Sequence, residues 1–343
     1  MRSRLAIVMP NYRTADLTID CLSSLDGEID PARDCVIVVE NGSKDGSAEQ
    51  LEKAIADRGW QGWVRVLRSP VNLGFPAGCN LGLRAVEAEN YMLLNNDTLV
   101  RKGAIRSLMQ AAERHPDVGV VTPRLEDPDG TPQTSCFYYR SPLTEFLKAA
   151  STGPLQRLLG GRDGTMPVSD APTEAEWVCF ACVLIRGEVI NQIGLLEDGY
   201  FLYFDDIDYC RRAWKAGWHV LYWPEARIVH LVGKSNPLES LAAARKRKPY
   251  YYYASRSWYF AKFYGRAGLL MANLLWTAGR AISFAREMVG NKQPHACDRE
   301  WLDIWTNFFH PFKPPKRWEA GKLEETNSAD LAPAKQEPME TST

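Results

Sequence analysis

The sequence predicts an α/β protein built on a mostly parallel sheet flanked by helices, with a helical extension near its C-terminal end. Three observations carry that reading. Strand-length apolar runs alternate with helix-period patterns through the first half of the chain, the order that generates parallel sheets with helices on their faces. Polar, glycine-bearing segments follow those runs, where open α/β sheets hold their ligands. After Pro249 the composition shifts to aromatic and basic residues. A chain of 343 residues, 45% hydrophobic and 24% charged, has room for one large domain with appendages or for two domains.

The runs Leu5–Met9, Cys35–Val39, Trp63–Leu67, Tyr91–Leu94 and Val118–Val121 read as short buried strands. Between them, Leu17, Cys21, Leu22 and Leu25 recur at helical spacing, as do Leu51, Ala54 and Ile55. Ser47 and Gln50 have the spacing of a capping box at the start of that second helix. A ligand site is then expected on Pro10–Tyr12, Glu40–Gly46, Asn72–Asn80 and Asn95–Thr98. From Pro123 to Glu176 the pattern loosens, with a turn at Asp127-Pro128-Asp129-Gly130 and a loop at Gly160–Gly164. Long irregular excursions in compact domains are often functional, and this one is expected to serve the site in part. Trp177–Ile185 reads as a strand, Asp205–Ala216 as a helix and Trp218–Tyr222 as a short strand.

Between Glu239 and Glu287 no acidic residue occurs, while nine basic ones do, from Arg245 to Arg286. Aromatics such as Tyr250–Tyr253 and Trp258-Tyr259-Phe260 interleave with them. Two readings stand: a helical extension packed on the main domain, or an interfacial helix with these residues at the headgroup level of an anionic membrane. Residues 319–343 are polar and aperiodic, and are expected to be disordered.

A net charge of −1 argues against a nucleic-acid binder. The eight cysteines are scattered, several within apolar runs, which fits a reduced, cytoplasmic setting. Cys179 and Cys182 read as buried thiols on a strand. The N-terminal apolar run is too short for a signal-peptide core, and no run reaches the ~18 residues that span a bilayer. The first strand leads into Pro10-Asn11-Tyr12 rather than a Gly-x-Gly-x-x-Gly turn, which argues against a nicotinamide dehydrogenase.

The most concentrated chemistry is in Tyr203–Arg212, which holds Asp205, Asp206 and Asp208 behind an aromatic run. Close like charges repel, so such a cluster is a solvated face, a metal site or a general acid/base centre. Upstream lie Asn72-Leu73-Gly74-Phe75-Pro76-Ala77-Gly78-Cys79-Asn80 and Leu94-Asn95-Asn96-Asp97-Thr98. Downstream lies His230-Leu231-Val232-Gly233-Lys234-Ser235, which is no phosphate loop, because that motif needs glycine where Ile228 stands. In this order the four segments resemble a family 2 glycosyltransferase of the rhamnosyltransferase-like branch, over roughly residues 4–233.

The resemblance implies a GT-A fold over residues 1–235, with a nucleotide-binding half at 1–121 and an acceptor and catalytic half at 122–235. Residues 236–318 would form the basic aromatic extension. It further implies inverting, metal-dependent transfer from a nucleoside-diphosphate sugar, dTDP-rhamnose or a UDP-sugar, to a lipid-linked or cell-surface polysaccharide acceptor. The setting would be peripheral, at the inner face of a bacterial plasma membrane. By resemblance, Asp97 and His230 hold Mg2+ or Mn2+, and Asp206 is the base with Asp205 beside it. Pro10, Asn11, Tyr12, Glu40, Asn41, Asn72, Gly74, Phe75, Gly78, Asn80, Asn95 and Asn96 bind the nucleotide part. Asp208, four residues before Arg212, is expected to form a helical ion pair instead.

Three positions depart from the family. Asn95-Asn96-Asp97 stands where Asp-x-Asp is usual, Glu40 where Asp is common, and Phe180-Ala181 where Gly-Ala is usual. Phe180 is expected to narrow the sugar or acceptor pocket. The missing carboxylate motivates an alternative, a catalytically weak sugar-nucleotide-binding or scaffold protein of a polysaccharide assembly complex.

Overall fold

The computed structural model describes residues 2–158, 164–231, 238–290 and 293–314. Residues 319–343, 160–163 of the expected loop and 232–235 of the histidine segment lie outside the described residues. The first elements are β1 (Ser3–Asn11), α1 (Ala15–Leu25), β2 (Asp34–Glu40), α2 (Ser47–Asp57), β3 (Val64–Arg68), α3 (Phe75–Arg84) and β4 (Ala88–Leu94). Next come β5 (Thr98–Val100), α4 (Ala104–Arg114), β6 (Val118–Glu126), β7 (Cys136–Phe137), α5 (Pro142–Ala150), α6 (Gly153–Leu158) and β8 (Thr173–Glu174). The remainder are β9 (Trp177–Val178), β10 (Cys182–Arg186), α7 (Gly187–Ile193), α8 (Asp205–Lys215), β11 (His219–His230), α9 (Leu238–Ala243), α10 (Tyr250–Met288) and α11 (Glu300–Asp303).

One curled sheet runs β3-β2-β1-β4-β10-β6-β11-β5. Its first four strands are parallel, as the alternation of runs and helices requires. Beyond them the sheet is mixed. β10 is antiparallel to β4 and β6, and β11 is parallel to β6 but antiparallel to β5 and β8. β10 enters after the irregular excursion rather than after a crossover helix, so nothing forces it parallel. Each central strand is covered on both faces. Leu5, Ile7 and Met9 meet α1 and its neighbours, while Ala6 and Val8 meet the α3 and α8 side. Burial of both faces is why these strands read as unbroken apolar runs.

Three local expectations need correction. Trp177–Ile185 is two strands, because Cys179–Ala181 leaves the ladder between β9 and β10. β11 continues past Tyr222 to His230 through an irregularity that contains Pro224, where a strand can tolerate proline. No capping box forms at Ser47: Gly46 is the N-cap at φ 87°, the Ser47 hydroxyl donates to Asp45, and the Gln50 amide donates to Asp16.

The extension packs on the body. α10 kinks at Gly265, where φ is 70°. Its second half lays Leu269, Ala272 and Trp276 into an aromatic cluster with Tyr200, Phe204 and Ile207. Gly279 lets it approach α5 closely, since a Cβ there would sit 2.4 Å from the Phe146 carbonyl oxygen. The opposite side is unusual. Met271, Leu274 and Ile282 fall on one face by helical spacing and are exposed. No helix among the described residues is long and apolar enough to cross a membrane.

Candidate active site

The strand order reverses between β1 and β4, and the carboxyl ends of these two strands carry the first cluster of motif residues. Asn11 ends β1 fully buried. Its Oδ1 accepts from Thr18 Oγ1 at 2.9 Å and from Asn96 Nδ2 at 3.4 Å. Asn96 also donates to Thr14 and Thr18. Its Nδ2 therefore ties the end of β4 to the start of α1. Asn11 Nδ2 is different: it is buried and has no partner, so it is a donor left over for a ligand. Pro10, Tyr12 and Asn95 are half-buried beside it.

The next two loops are joined by their own polar groups. Glu40 is 5% exposed, and its carboxylate accepts the Gly42 and Ser43 N–H groups at 3.2 and 2.8 Å. It shapes its own loop. Asn41 bridges to Gly74 O and accepts from Leu73 N, and Asn72 Oδ1 accepts from Gly74 N. Asn80 is held at both ends of its amide by Leu196 N and O. Asn41, Asn72 and Asn80 thus hold the loops of the site to one another. The glycines also serve chain-to-chain approach. A Cβ on Gly74, which has φ 79°, would sit 2.2 Å from Phe201 O, and one on Gly78 would sit 3.1 Å from Asn41 Nδ2. Phe75 donates its N–H to Phe201 O at 2.8 Å. Through Gly74 and Phe75 the third loop is clamped onto the segment that leads to the acidic cluster.

The β5–β11 pairing, with His230 opposite Thr98, sets His230 against Asp97. His230 Nε2 lies 3.7 Å from Asp97 Oδ1, and Leu231 N–H donates to Asp97 O at 2.8 Å. Gln133, from the excursion after β6, decides which nitrogen carries the proton. Its Nε2 donates to Asp127 Oδ1 and to His230 O, so its Oε1 can only accept. That oxygen is 3.1 Å from His230 Nδ1. Nδ1 therefore holds a hydrogen, and Nε2 is the ring nitrogen that faces the Asp97 carboxylate. Two electron-rich atoms turned toward each other, with the outer ring nitrogen fixed, is the way a protein presents ligands to a cation. Among the described residues no third acidic, histidine or cysteine ligand joins them, a number that suits a hard ion completed by phosphate oxygens.

The acidic cluster opens α8. Tyr203 and Phe204 precede it with φ of 68° and 67°, a strained pair for bulky residues. Packing holds the turn: Phe204 is buried between Tyr252 and Tyr259. The three carboxylates then separate in role. Asp208 is fully buried and is held by Arg212 at 2.7 Å, Lys262 at 2.7 Å and Tyr200 at 2.9 Å, the expected ion pair with two further partners. Asp205 is 4% exposed, and burial with the charge of Asp206 drives its pKa far up. Asp206 is half-buried and accepts the Ile207 N–H at 2.8 Å. Burial pushes it up to about 6, against the Ile207 N–H and the Arg140 guanidinium, which pull it down.

Asp97 and the acidic turn act electrostatically on one group. Burial raises the Cys179 thiol to about 12, and Asp206, Asp205 and Asp97 all add to that rise. Phe180 does not narrow the space between them: it is 3% exposed and packs edge-on against Tyr209 in the core. Residue-level reading missed Gln133 and Arg140. Both act on partners distant in sequence, 97 residues away for Gln133 and His230, so no local spacing marks them.

A model of the family described as Glycosyltransferase like family 2 matches residues 3–254. This chain belongs to that family. The glycosyltransferase is 27% identical over 273 residues to the N-acetylglucosaminyl-diphospho-decaprenol L-rhamnosyltransferase of Mycobacterium tuberculosis, covering 71% of this chain and 78% of that one. It is 26% identical over 217 residues to the low-salt glycan biosynthesis hexosyltransferase Agl10 of Haloferax volcanii, 62% of each chain. Its fold matches that of the mannosyltransferase PcManGT from Pyrobaculum calidifontis, solved with GDP-Man and Mn2+. The TM-score is 0.53 at 14% identity, over 91% of this chain and 86% of that one. The fold is thus of the GT-A type.

Proposed function

We propose that this glycosyltransferase moves a sugar from a nucleoside-diphosphate sugar to an acceptor hydroxyl in one inverting displacement. The observation that carries the reading is a pair of unlike centres, the Asp97–His230 pair and the Asp206 carboxylate at the start of α8, whose charges both act on Cys179 in the β9–β10 break. In this reading Asp206 accepts the acceptor proton, as a half-buried carboxylate at a helix N-terminus can. Asp205 stays protonated beside it, which avoids a second charge. Asn11, through its unpaired Nδ2, together with Pro10, Tyr12 and Asn95, meets the nucleotide. Asp97 and His230 would hold Mg2+ or Mn2+, which when bound supplies Lewis-acid neutralisation of the departing diphosphate.

The donor is proposed as dTDP-rhamnose or a UDP-sugar, and the acceptor as a lipid-diphosphate-linked saccharide like the one in the mycobacterial relative's name. The direct test is a panel of sugar nucleotides with Mn2+ and no acceptor. Slow release of nucleoside diphosphate from one donor is expected. Binding of a donor with no hydrolysis and no transfer to any acceptor would favour the scaffold reading.

Residues 1–235 would carry the chemistry, and 236–318 would bring it to the cytoplasmic face of the membrane. The basic run alone is a weaker anchor than its composition suggests. Arg247, Lys248, Arg256, Lys262 and Arg280 are paired with Asp303, Glu300, Glu145, Glu197 and Glu287. The exposed apolar groups are the stronger support: Met288 is 73% exposed, Trp301 63% and Phe309 77%. Co-sedimentation with anionic vesicles is expected at low salt, reduced but not abolished at high salt, where attraction of about 1 kcal/mol per unpaired cation is screened. The Trp301→Ala, Phe309→Ala double variant should weaken binding by about tenfold or more. A fully soluble protein under both conditions would remove the membrane from this account.

A further inference from the structure

A second polar site lies beside the acidic turn. Between α5, α10 and α11 a cleft of ≈ 100 Å³ is lined by five cations, Arg140, Lys148, Lys248, Arg256 and Arg280. Among the described residues two carboxylates, Glu145 and Glu300, line it with them. Glu145 pairs with Arg256 and Glu300 with Lys248, while Arg280 is paired with Glu287. Among the described residues Arg140 and Lys148 form no ion pair. Arg256 is 2% exposed, and its Nη2 is buried without a hydrogen-bond partner although Nε and Nη1 are bonded to Glu145 and Asn273. An unpaired guanidinium nitrogen, on a residue that lines a cleft with surplus positive charge, is incomplete without an anion. Tyr252 reports the same field. Burial would raise its phenol, yet Arg140, Lys148 and Lys248 bring it down to about 7.

The cleft has two distinguishable ends. At one, Arg140 stacks on Phe204 at 4.8 Å, next to Asp205, and its charge reaches Asp206. At the other, the lining residues Arg280 and Glu300 adjoin the exposed side chains Phe284, which lies 5.7 Å from the Arg280 guanidinium, and Trp301. We infer that the cleft binds the diphosphate of a prenyl-diphosphate-linked acceptor, with the sugar directed past Arg140 toward Asp206 and the prenyl chain leaving over Phe284 and Trp301. The inference rests on the lipid-linked reading of the acceptor and narrows it. Because Arg140 borders both sites, the sugar that accepts is the one joined directly to the diphosphate.

The test measures binding without turnover, using farnesyl diphosphate as the probe, detergent below its critical concentration, and chelator to silence Asp97 and His230. The protein is expected to bind farnesyl diphosphate, to bind farnesol at least tenfold more weakly, and to release the probe to inorganic pyrophosphate. Lys148→Gln and Arg140→Gln should each weaken binding by about tenfold, the scale of one charge-assisted contact, while Lys148→Arg restores it. Lys148 is exposed on α5, so its variants leave the core intact. Asp97→Ala should bind the probe normally. Equal affinity for farnesol, unchanged binding in both variants, displacement by a nucleoside diphosphate as effective as by pyrophosphate, or displacement by phosphatidylglycerol vesicles would each overturn the assignment. Donor hydrolysis by Lys148→Gln should match wild type. Loss of hydrolysis in every form would sink the proposed function and leave the binding result standing.

Discussion

Asp206→Asn should abolish transfer while leaving donor binding intact. The change keeps the size and the hydrogen bond from Ile207 N–H but removes basicity, and loss of a general base costs ~10²–10⁴-fold in rate. The pH profile supplies a second readout. Burial holds the Asp206 pKa at about 6, above the ordinary carboxylate value. A base with a raised pKa is protonated, and inactive, over a wider acid range. Thus kcat/KM should be level above that pH and fall about tenfold per unit below it. Residual activity in Asp206→Asn should lack this limb. Asp205→Asn should be far milder, because that buried carboxyl is already driven toward its neutral form. Near-normal turnover in Asp206→Asn with a dead Asp205→Asn would move the role to Asp205.

Much of this was legible in the sequence because it is written locally. Four of the five apolar runs became central strands since burial on both faces demands continuous hydrophobicity, while Trp63–Leu67 became the edge strand β3, on which Arg65 is exposed. The motif residues fell at carboxyl ends since the crossover topology puts connections there. Asp208 and Arg212 paired as four-residue helical spacing dictates. What the sequence concealed is which polar residues face inward. Glu40, Asn41, Asn72, Asn80 and Asn96 look alike in a motif. Yet Asn41, Asn96 and Asn80 find partners 31, 85 and 116 residues away, while Glu40 folds back on the Gly42 and Ser43 N–H groups of its own loop, and no local spacing reveals either arrangement. The basic run after residue 244 misled in the same way: its composition suggested a free cationic patch, but half of it is neutralised by acids outside the run. Phe180 could be placed only once the break in its strand turned it into the core.

Chelation should reduce transfer by about a thousandfold or more, the scale of several kcal/mol of Lewis-acid stabilisation at a leaving diphosphate, with Mn2+ or Mg2+ restoring it. The structure gives the reason for so large a dependence. Among the described residues two candidate ligands, Asp97 and His230, face each other at 3.7 Å, so an ion held there would be shared with the substrate and would carry much of the charge that a third carboxylate would otherwise offset. Asp97→Ala and His230→Ala should each weaken metal-dependent nucleotide binding, measured by calorimetry with and without Mn2+. Gln133→Met is the sharper variant. It keeps the bulk of the side chain but removes the acceptor that fixes the Nδ1 hydrogen of His230. The ring is then free to place its hydrogen on Nε2, toward Asp97. Loss of such a supporting contact costs ~10–100-fold in metal affinity, so activity should return at raised Mn2+, unlike in His230→Ala. Full activity in excess chelator would sink the metal assignment and leave cationic side chains to neutralise the diphosphate. Gln133→Met with unchanged Mn2+ dependence would show that His230 needs no help in presenting Nε2.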